Sequence, residues 1–323
     1  MAVLIETRQL GKAYGRKADA KKAVSDVNLS IEQGDMYVLM GLSGSGKSTV
    51  LRMLNRLIEP TEGQVLLEGD DLAGLGPRQL REVRNRRISM VFQHFALFPH
   101  RTVRDNAAYG LRLRGTKKRQ AADRAQQSLE LVGLGDWGDA RPAELSGGMK
   151  QRVGLARALS TDADILLMDE PFSALDPLIR REMQDLLITL TQQLNRTVIF
   201  VTHDLNEAMR LGDKITLLTS GEVAQTGTTA EILSDPANDY VRKFISEVDR
   251  MRVLTVADVM VGPDQQGLEE VTVALSPEQT LQESAAAFSR SSLNSLPVVA
   301  DGKIVGRVAA SDVFGAVAEQ EAA

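Results

Sequence analysis

The residues best placed to do chemistry begin with Gly41-Leu42-Ser43-Gly44-Ser45-Gly46-Lys47-Ser48-Thr49, which fits G-x-x-x-x-G-K-[ST]. Glycines at this spacing let successive backbone N–H groups curl around phosphate oxygens, an approach that side chains would block. Lys47 can reach the β- and γ-phosphates, and the Ser48 hydroxyl can ligate Mg²⁺. A second constellation is Asp169-Glu170, two acids closing the apolar run Ile165-Leu166-Leu167-Met168. Charge at the end of a buried strand is costly unless it meets a cation or does work. Asp169 suits Mg²⁺ and Glu170 suits a general base for an attacking water, the plainer alternative being two acids that cap the next turn. His203 follows the run Thr197-Val198-Ile199-Phe200-Val201, where open α/β sheets bind ligands.

These groups need elements to hold them. Tyr37-Val38-Leu39-Met40, Ile165–Met168 and Thr197–Val201 are unbroken apolar runs, as expected of parallel strands covered on both faces. Val50, Leu51, Leu54, Leu57 and Ile58 form one apolar stripe that predicts a helix from Ser48 to just before Pro60. Asp176-Pro177 reads as a cap and first helical residue, with Leu186, Leu187, Leu190 and Leu194 on the apolar face that follows. Strand–helix–strand order predicts an α/β fold with a mostly parallel sheet.

The 323 residues suffice for two domains, and 43% hydrophobic with 25% charged residues excludes a disordered or fibrous chain. With no cysteine, disulfides, thiol catalysis and iron–sulfur clusters are excluded. A net charge of −5 does not suggest nucleic acid as a partner. The run Arg84-Asn85-Arg86-Arg87 is read as a solvated face. No apolar run of about 20 residues is present, and the first ten residues lack the order of a secretory signal, so a soluble, cytoplasmic protein is expected. Charge divides the chain near residue 250: residues 1–250 carry a net +1 and residues 251–323 a net −6. The expected domains are therefore 1–250 and 251–323.

Leu145-Ser146-Gly147-Gly148-Met149-Lys150-Gln151-Arg152 resembles the signature motif of ATP-binding cassette (ABC) ATPases. Gln93, the segment Ser173-Ala174-Leu175-Asp176 and His203 match further landmarks of that family in order. The resemblance covers most of residues 1–245. It implies the P-loop NTPase fold in its ABC form: a mostly parallel core, an antiparallel β part and a helical subdomain at about 94–160. It also implies ATP and Mg²⁺ as cofactors and a homodimer that sandwiches nucleotide. ATP held by Gly41, Ser43, Gly44, Ser45, Gly46, Lys47, Ser48 and Thr49 of one subunit would be closed over by Ser146, Gly147 and Gly148 of the other. Glu170, His203 and Gln93 would then be catalytic, with Ser48, Gln93 and Asp169 at the metal. Tyr14 resembles the aromatic that stacks on adenine, with ordinary core packing as its alternative. His94 and His100 receive no role, and Trp137 is expected to be a packed interior or helix-contact residue.

Longer stretches, among them Leu54-Asn55-Arg56-Leu57-Ile58-Glu59-Pro60 and Ala237-Asn238-Asp239-Tyr240-Val241, are similar to the ATPase subunit of glycine betaine/proline (quaternary amine) importers. The resemblance implies two transmembrane permease subunits, an extracytoplasmic substrate-binding protein acting through them, and a peripheral place on the cytoplasmic face of the inner membrane. Phe95-Ala96-Leu97-Phe98-Pro99-His100 suits docking of the permease, or core packing. An amino-acid (for example histidine) importer and a non-transport ABC ATPase are the alternatives. The tail, with Leu296-Pro297-Val298-Val299, a turn at Asp301-Gly302 and Ser311-Asp312, resembles one cystathionine-β-synthase (CBS) repeat of α+β type. Asp312 matches a ribose-contacting position, but Ala309 stands where Thr or Ser is common, so a dimerisation or ionic-strength role is weighed beside nucleotide binding.

Overall fold

A computed structural model of the chain describes residues 2–15, 20–92, 96–246, 248–262, 273–291 and 293–321. The chain divides into two compact units, residues 1–226 and 227–323, a division that falls before the change in charge balance near 250.

The first unit holds two sheets. β1 (Val3–Tyr14), β2 (Lys21–Glu32), β4 (Glu62–Leu67) and β5 (Asp70–Asp71) form an antiparallel sheet in the order β2-β1-β4-β5. The larger sheet has the order β10-β9-β3-β8-β7-β6, from β3 (Met36–Met40), β6 (Ile88–Val91), β7 (Ile165–Asp169), β8 (Thr197–Thr202), β9 (Lys214–Thr219) and β10 (Glu222–Gly227). Pairing is parallel from β9 through β3, β8 and β7 to β6. Strands β3, β7 and β8 are buried at every position, which is why their sequences run apolar without alternation.

Helix α1 (Lys47–Leu54) lies between the sheets, and one apolar cluster joins its Val50, Leu51 and Leu54 to Ile5, Val27 and Ile31 of the antiparallel sheet and to Leu39, Leu167 and Ile199 of the parallel one. The helix stops four residues short of the expected stripe. Asn55 Oδ1 accepts the Leu57 N–H and Arg56 takes a left-handed φ of 53°, so Leu57 and Ile58 follow in a turn.

Helix α2 (Pro77–Arg86) leads into β6, and α3 (Val103–Ala107), α4 (Tyr109–Leu113), α5 (Lys118–Leu131) and α6 (Gly147–Leu159) make the helical part. Small residues Ala107, Ala121 and Ala125 are fully buried there and let α3, α5 and α6 pack closely. Buried Asn106 accepts from Phe98 N–H and donates to the carbonyls of Phe98 and Thr102, anchoring the preceding loop. Trp137 is 41% exposed, which corrects its expected interior position: it sits in a short 3₁₀ turn instead of on a packed helix face. α7 (Pro177–Leu194) buries Leu187 and Leu190 but leaves Leu194 exposed, and α8 (Leu205–Leu211) follows β8.

The second unit contains α9 (Thr229–Ser234), α10 (Asp239–Ile245), α11 (Arg250–Val253), α12 (Val256–Val259), α13 (Leu281–Arg290), the antiparallel pair β11 (Ser295–Ala300) and β12 (Lys303–Ala309), and α14 (Ala310–Glu321). The expected hairpin forms: Ala300 pairs with Lys303 across Asp301 and Gly302, both at positive φ, as a two-residue turn demands.

Candidate active site

In the order β3-β8-β7 three parallel strands lie side by side, so their carboxyl ends share one edge. β3 ends at Gly41, whose φ of 145° and close surroundings admit no side chain: a Cβ there would sit 2.2 Å from the Leu218 carbonyl oxygen and 2.8 Å from Ser45 Oγ. The loop closes on itself through Lys47 Nζ, which donates to the carbonyls of Gly41 at 2.8 Å and Leu42 at 3.1 Å. Burial pulls the Lys47 ammonium below its ordinary pKa, against the opposing pull of Glu170 and Asp169. Ser45 Oγ is buried without a hydrogen-bond partner inside the loop. A cradle too tight for a Cβ, with an orphaned polar atom and a buried ammonium, fits a phosphate chain.

β7 ends in Asp169, whose Oδ1 accepts the Ser48 hydroxyl at 2.7 Å while Oδ2 accepts Arg52 Nη2 at 2.9 Å. The next residue, Glu170, has a left-handed φ of 45°, and its N–H donates to Val201 O at 3.1 Å. That turn brings Glu170 Oε2 to 3.2 Å from Nδ1 of His203, just past the end of β8. Among the described residues no cluster of three or more His, Cys, Asp or Glu could enclose a metal. The hydroxyl and carboxylate oxygens that Ser48 and Asp169 bring together would fit Mg²⁺, which takes few protein oxygens beside substrate phosphates. The arrangement can bind a triphosphate, hold a divalent cation at one carboxylate and present a base with a histidine beside it.

The remaining candidates are less convergent. Gln93 lies outside the described residues, as do His94 and Phe95. Ser43 and Gly44 are exposed on the loop, and Thr49 is half-buried in α1. Ser146 caps α6, its Oγ accepting the Met149 N–H at 3.3 Å, and Ser146 and Gly147 present an exposed tip while Gly148 is half-buried. Tyr14 is 46% exposed with Lys12 Nζ 5.3 Å from its ring centre, so it is no core aromatic. The basic run 84–87 is structural: Arg84 donates to the carbonyls of Asn55 and Arg56, Arg86 pairs with Glu82, and Arg87 pairs with Glu68 and Asp164. In the second unit, Asp312 accepts from the Ala309 N–H and the Ser311 hydroxyl, a local helix-start role.

Sequence reasoning missed Arg52, Arg180 and Glu207. Arg52 was readable, because i, i+4 spacing puts it on the face of α1 that carries Ser48. Arg180 meets the turn after β8 only through the fold, its Nη1 pairing with Asp204, whereas buried Glu207 lies in the first turn of α8 and accepts from Thr202 Oγ1 and Gln184 Nε2. Burial raises the Glu207 carboxyl above its ordinary range. Away from these strand ends, a cleft of about 370 Å³ is lined by Leu57, Phe92, Phe98, Tyr109, Leu113 and Arg157.

Strand-end phosphate loop, acidic strand terminus and histidine together define a P-loop nucleoside triphosphatase. Residues 24–173 match the family model described as ABC transporter, and residues 268–319 match the CBS domain. The glycine betaine/carnitine transport ATP-binding protein GbuA of Listeria monocytogenes is 49% identical over 280 residues, 80% of this chain and 70% of that one. The glycine betaine/proline betaine transport system ATP-binding protein ProV of Escherichia coli is 48% identical over 302 residues, 87% of this chain and 75% of that one. A solved dimeric bacterial ABC transporter cassette, MJ0796, aligns with a TM-score of 0.65 at 34% identity, covering 70% of this chain and 99% of the cassette. The chain belongs to the ABC transporter family as an ATP-binding subunit, an ATPase whose hydrolysis is coupled to transport.

Proposed function

We propose that this ATPase powers uptake of a quaternary amine or related compatible solute such as glycine betaine, choline or proline. The observation that carries the reading is the identity of close to one half, over most of the chain, with GbuA and ProV, whose names specify glycine betaine together with carnitine or proline betaine; the Ser48–Asp169 and Glu170–His203 pairs at the strand ends support it. Lys47 and the loop 41–49 hold the phosphates, and Tyr14 stacks on adenine. Ser48 and Asp169, with Gln93, would hold Mg²⁺, which when bound would neutralise charge developing on the phosphates. Glu170 takes the proton of the water that attacks the γ-phosphorus. The new O–P bond forms as the bond to the β-phosphate oxygen breaks, leaving ADP and inorganic phosphate. His203, beside Glu170, orients that water and the γ-phosphate.

Two copies of the chain face each other, the Ser146-Gly147-Gly148 tip of each covering the other's nucleotide. The similar cassette MJ0796 has been solved as a dimer bound to ADP and Pi, which supports a paired assembly. The cleft beside Phe98 and Tyr109, with Arg101 stacked 4.9 Å from both rings, receives a transmembrane permease subunit. The assembly sits peripherally on the cytoplasmic face of the membrane, with an extracytoplasmic binding protein feeding the permease and no nucleic acid as partner. The tail from residue 251, which contains the CBS match, serves regulation or dimerisation. In proteoliposomes holding permease and binding protein, Glu170→Gln is expected to keep ATP binding while hydrolysis and glycine betaine uptake fall on the order of 10²- to 10⁴-fold. Uptake of histidine in place of glycine betaine would favour the amino-acid importer, and unchanged turnover would remove Glu170 from its role.

A further inference from the structure

Arg180 stands in the first turn of α7, just after the loop that leaves Glu170. Its guanidinium forks between two segments: Nη1 lies 3.2 Å from Asp204 Oδ2, and Nη2 donates to the Leu175 carbonyl at 3.1 Å. Leu175 belongs to the loop that follows Glu170, and Asp204 is the residue after His203. We infer that Arg180 is a positioning residue that sets the spacing between the Glu170 loop and the His203 turn, so that the two side chains meet at 3.2 Å. The inference rests on the roles given above to Glu170 and His203.

Both segments need such a strut. Glu170 is held in a left-handed conformation that a glutamate does not favour, and the loop folds back so that Ser173 N–H and Oγ both donate to the Glu170 carbonyl. On the other side, His203 is clamped between neighbours. Thr202 Oγ1 donates to buried Glu207 and accepts the Asp204 N–H, while Asp204 Oδ1 caps α8 through the N–H groups of Asn206 and Glu207. With Oδ1 committed to the cap, Oδ2 is free to take the guanidinium. The planar guanidinium holds its donors in a fixed fork, here one to a carboxylate on one segment and one to a carbonyl on the other, a geometry that a lysine ammonium on its flexible stem fixes less firmly.

A purely stabilising role does not account for this arginine. The pair is partly exposed, 29% for Arg180 and 33% for Asp204, where an ion pair adds little to stability. Arg180 Nε is buried with no partner, an unsatisfied donor that offsets what stability the pair adds. α7 also meets α6 through Arg152 and Glu182 at 3.1 Å. The helix that carries the strut is thereby tied to the helix whose tip covers the neighbouring nucleotide.

The test measures rates in the full chain assembled with its permease, and histidine ring NMR in the full chain alone, where only three histidines resonate. Arg180→Met is expected to lower kcat on the order of 10- to 100-fold while the KM for ATP stays within about twofold. The His203 ring signal should move while those of His94 and His100 hold. Arg180→Lys, which keeps the charge beside Asp204 but not the bond to Leu175, is expected to fall between Arg180→Met and the parent. The inference is overturned if Arg180→Met leaves kcat and the His203 signal unchanged. It is also overturned if all three histidine signals and the melting temperature shift together, because that pattern marks general destabilisation. Glu170→Gln separates the two levels: if it retains turnover, the catalytic reading itself fails, and if it abolishes turnover while Arg180→Met leaves kcat unchanged, only the strut fails.

Discussion

The phosphate-loop unit and the tail unit use the same local devices for different ends. Each has a turn glycine at positive φ, Gly41 at 145° and Gly302 at 73°. A Cβ at Gly41 would meet the Leu218 carbonyl and Ser45 Oγ, whereas one at Gly302 would meet nothing within 4 Å. Each unit also caps helices with short polar side chains, as Ser146 does for α6 and Thr280 for α13. Among the described residues only the first unit buries charged side chains, namely Lys47, Asp169 and Glu207, and in the tail the one buried polar residue is Ser284. Buried charge and closed backbone are costly, and their concentration near the ends of β3, β7 and β8 is the pattern expected of a functional site. In the tail, Asp258, Glu283 and Asp312 accept from backbone N–H groups at its own helix starts.

Substitution can break this contrast at several depths. The largest effect is expected of Gly41→Ala, which drives a methyl into a carbonyl: ATP affinity should fall more than about tenfold, with several kcal/mol of lost stability, measured by nucleotide titration and chemical denaturation. Gly302→Ala should cost only about 1–2 kcal/mol, the left-handed penalty of a non-glycine residue, with ATP affinity unchanged. Equal effects of the two on ATP would erase the distinction between the units. Asp312→Ala, which removes a half-formed capping contact at the start of α14, should cost about 0.5 kcal/mol and leave nucleotide affinity alone.

The smallest effect concerns pH. Burial raises the Glu207 carboxyl above 4.5, so folding favours its neutral form. The stability this contributes is present below pH 4.5 and is lost as pH rises through the raised value. Glu207→Gln keeps the neutral shape, and should melt at or above the parent at pH 7 with the difference closing on acidification below 4.5. Calorimetry across that range checks it; a variant clearly less stable than the parent at pH 7 would show that the charged form is the one the fold holds.

What the sequence made legible was chemistry confined to a few consecutive residues. Nine residues, 41–49, carry the phosphate cradle because backbone does the work, and Asp169-Glu170 announce themselves as charge against an apolar strand. The two-residue turn at Asp301-Gly302 was readable for the same reason. The end of α1 was not: Leu57 and Ile58 keep the helical period, but Arg56 turns left-handed and Leu57 lines a cleft. Trp137 looked like interior because large aromatics usually bury, yet it sits exposed on a 3₁₀ turn. Arg180 carries no local signal, since its partner Asp204 is 24 residues away and is reached only when β7 and β8 lie side by side.

The central claim is that two copies of the chain close over nucleotide held at these strand ends, each tip of α6 covering its neighbour's site. The direct measurement is the solution mass of full-length Glu170→Gln with and without ATP and Mg²⁺, repeated with Ser146→Arg added. The account expects an ATP-dependent doubling of mass that the bulky cation at residue 146 abolishes. Pairing that ignores ATP, or that survives Ser146→Arg undiminished, would contradict it.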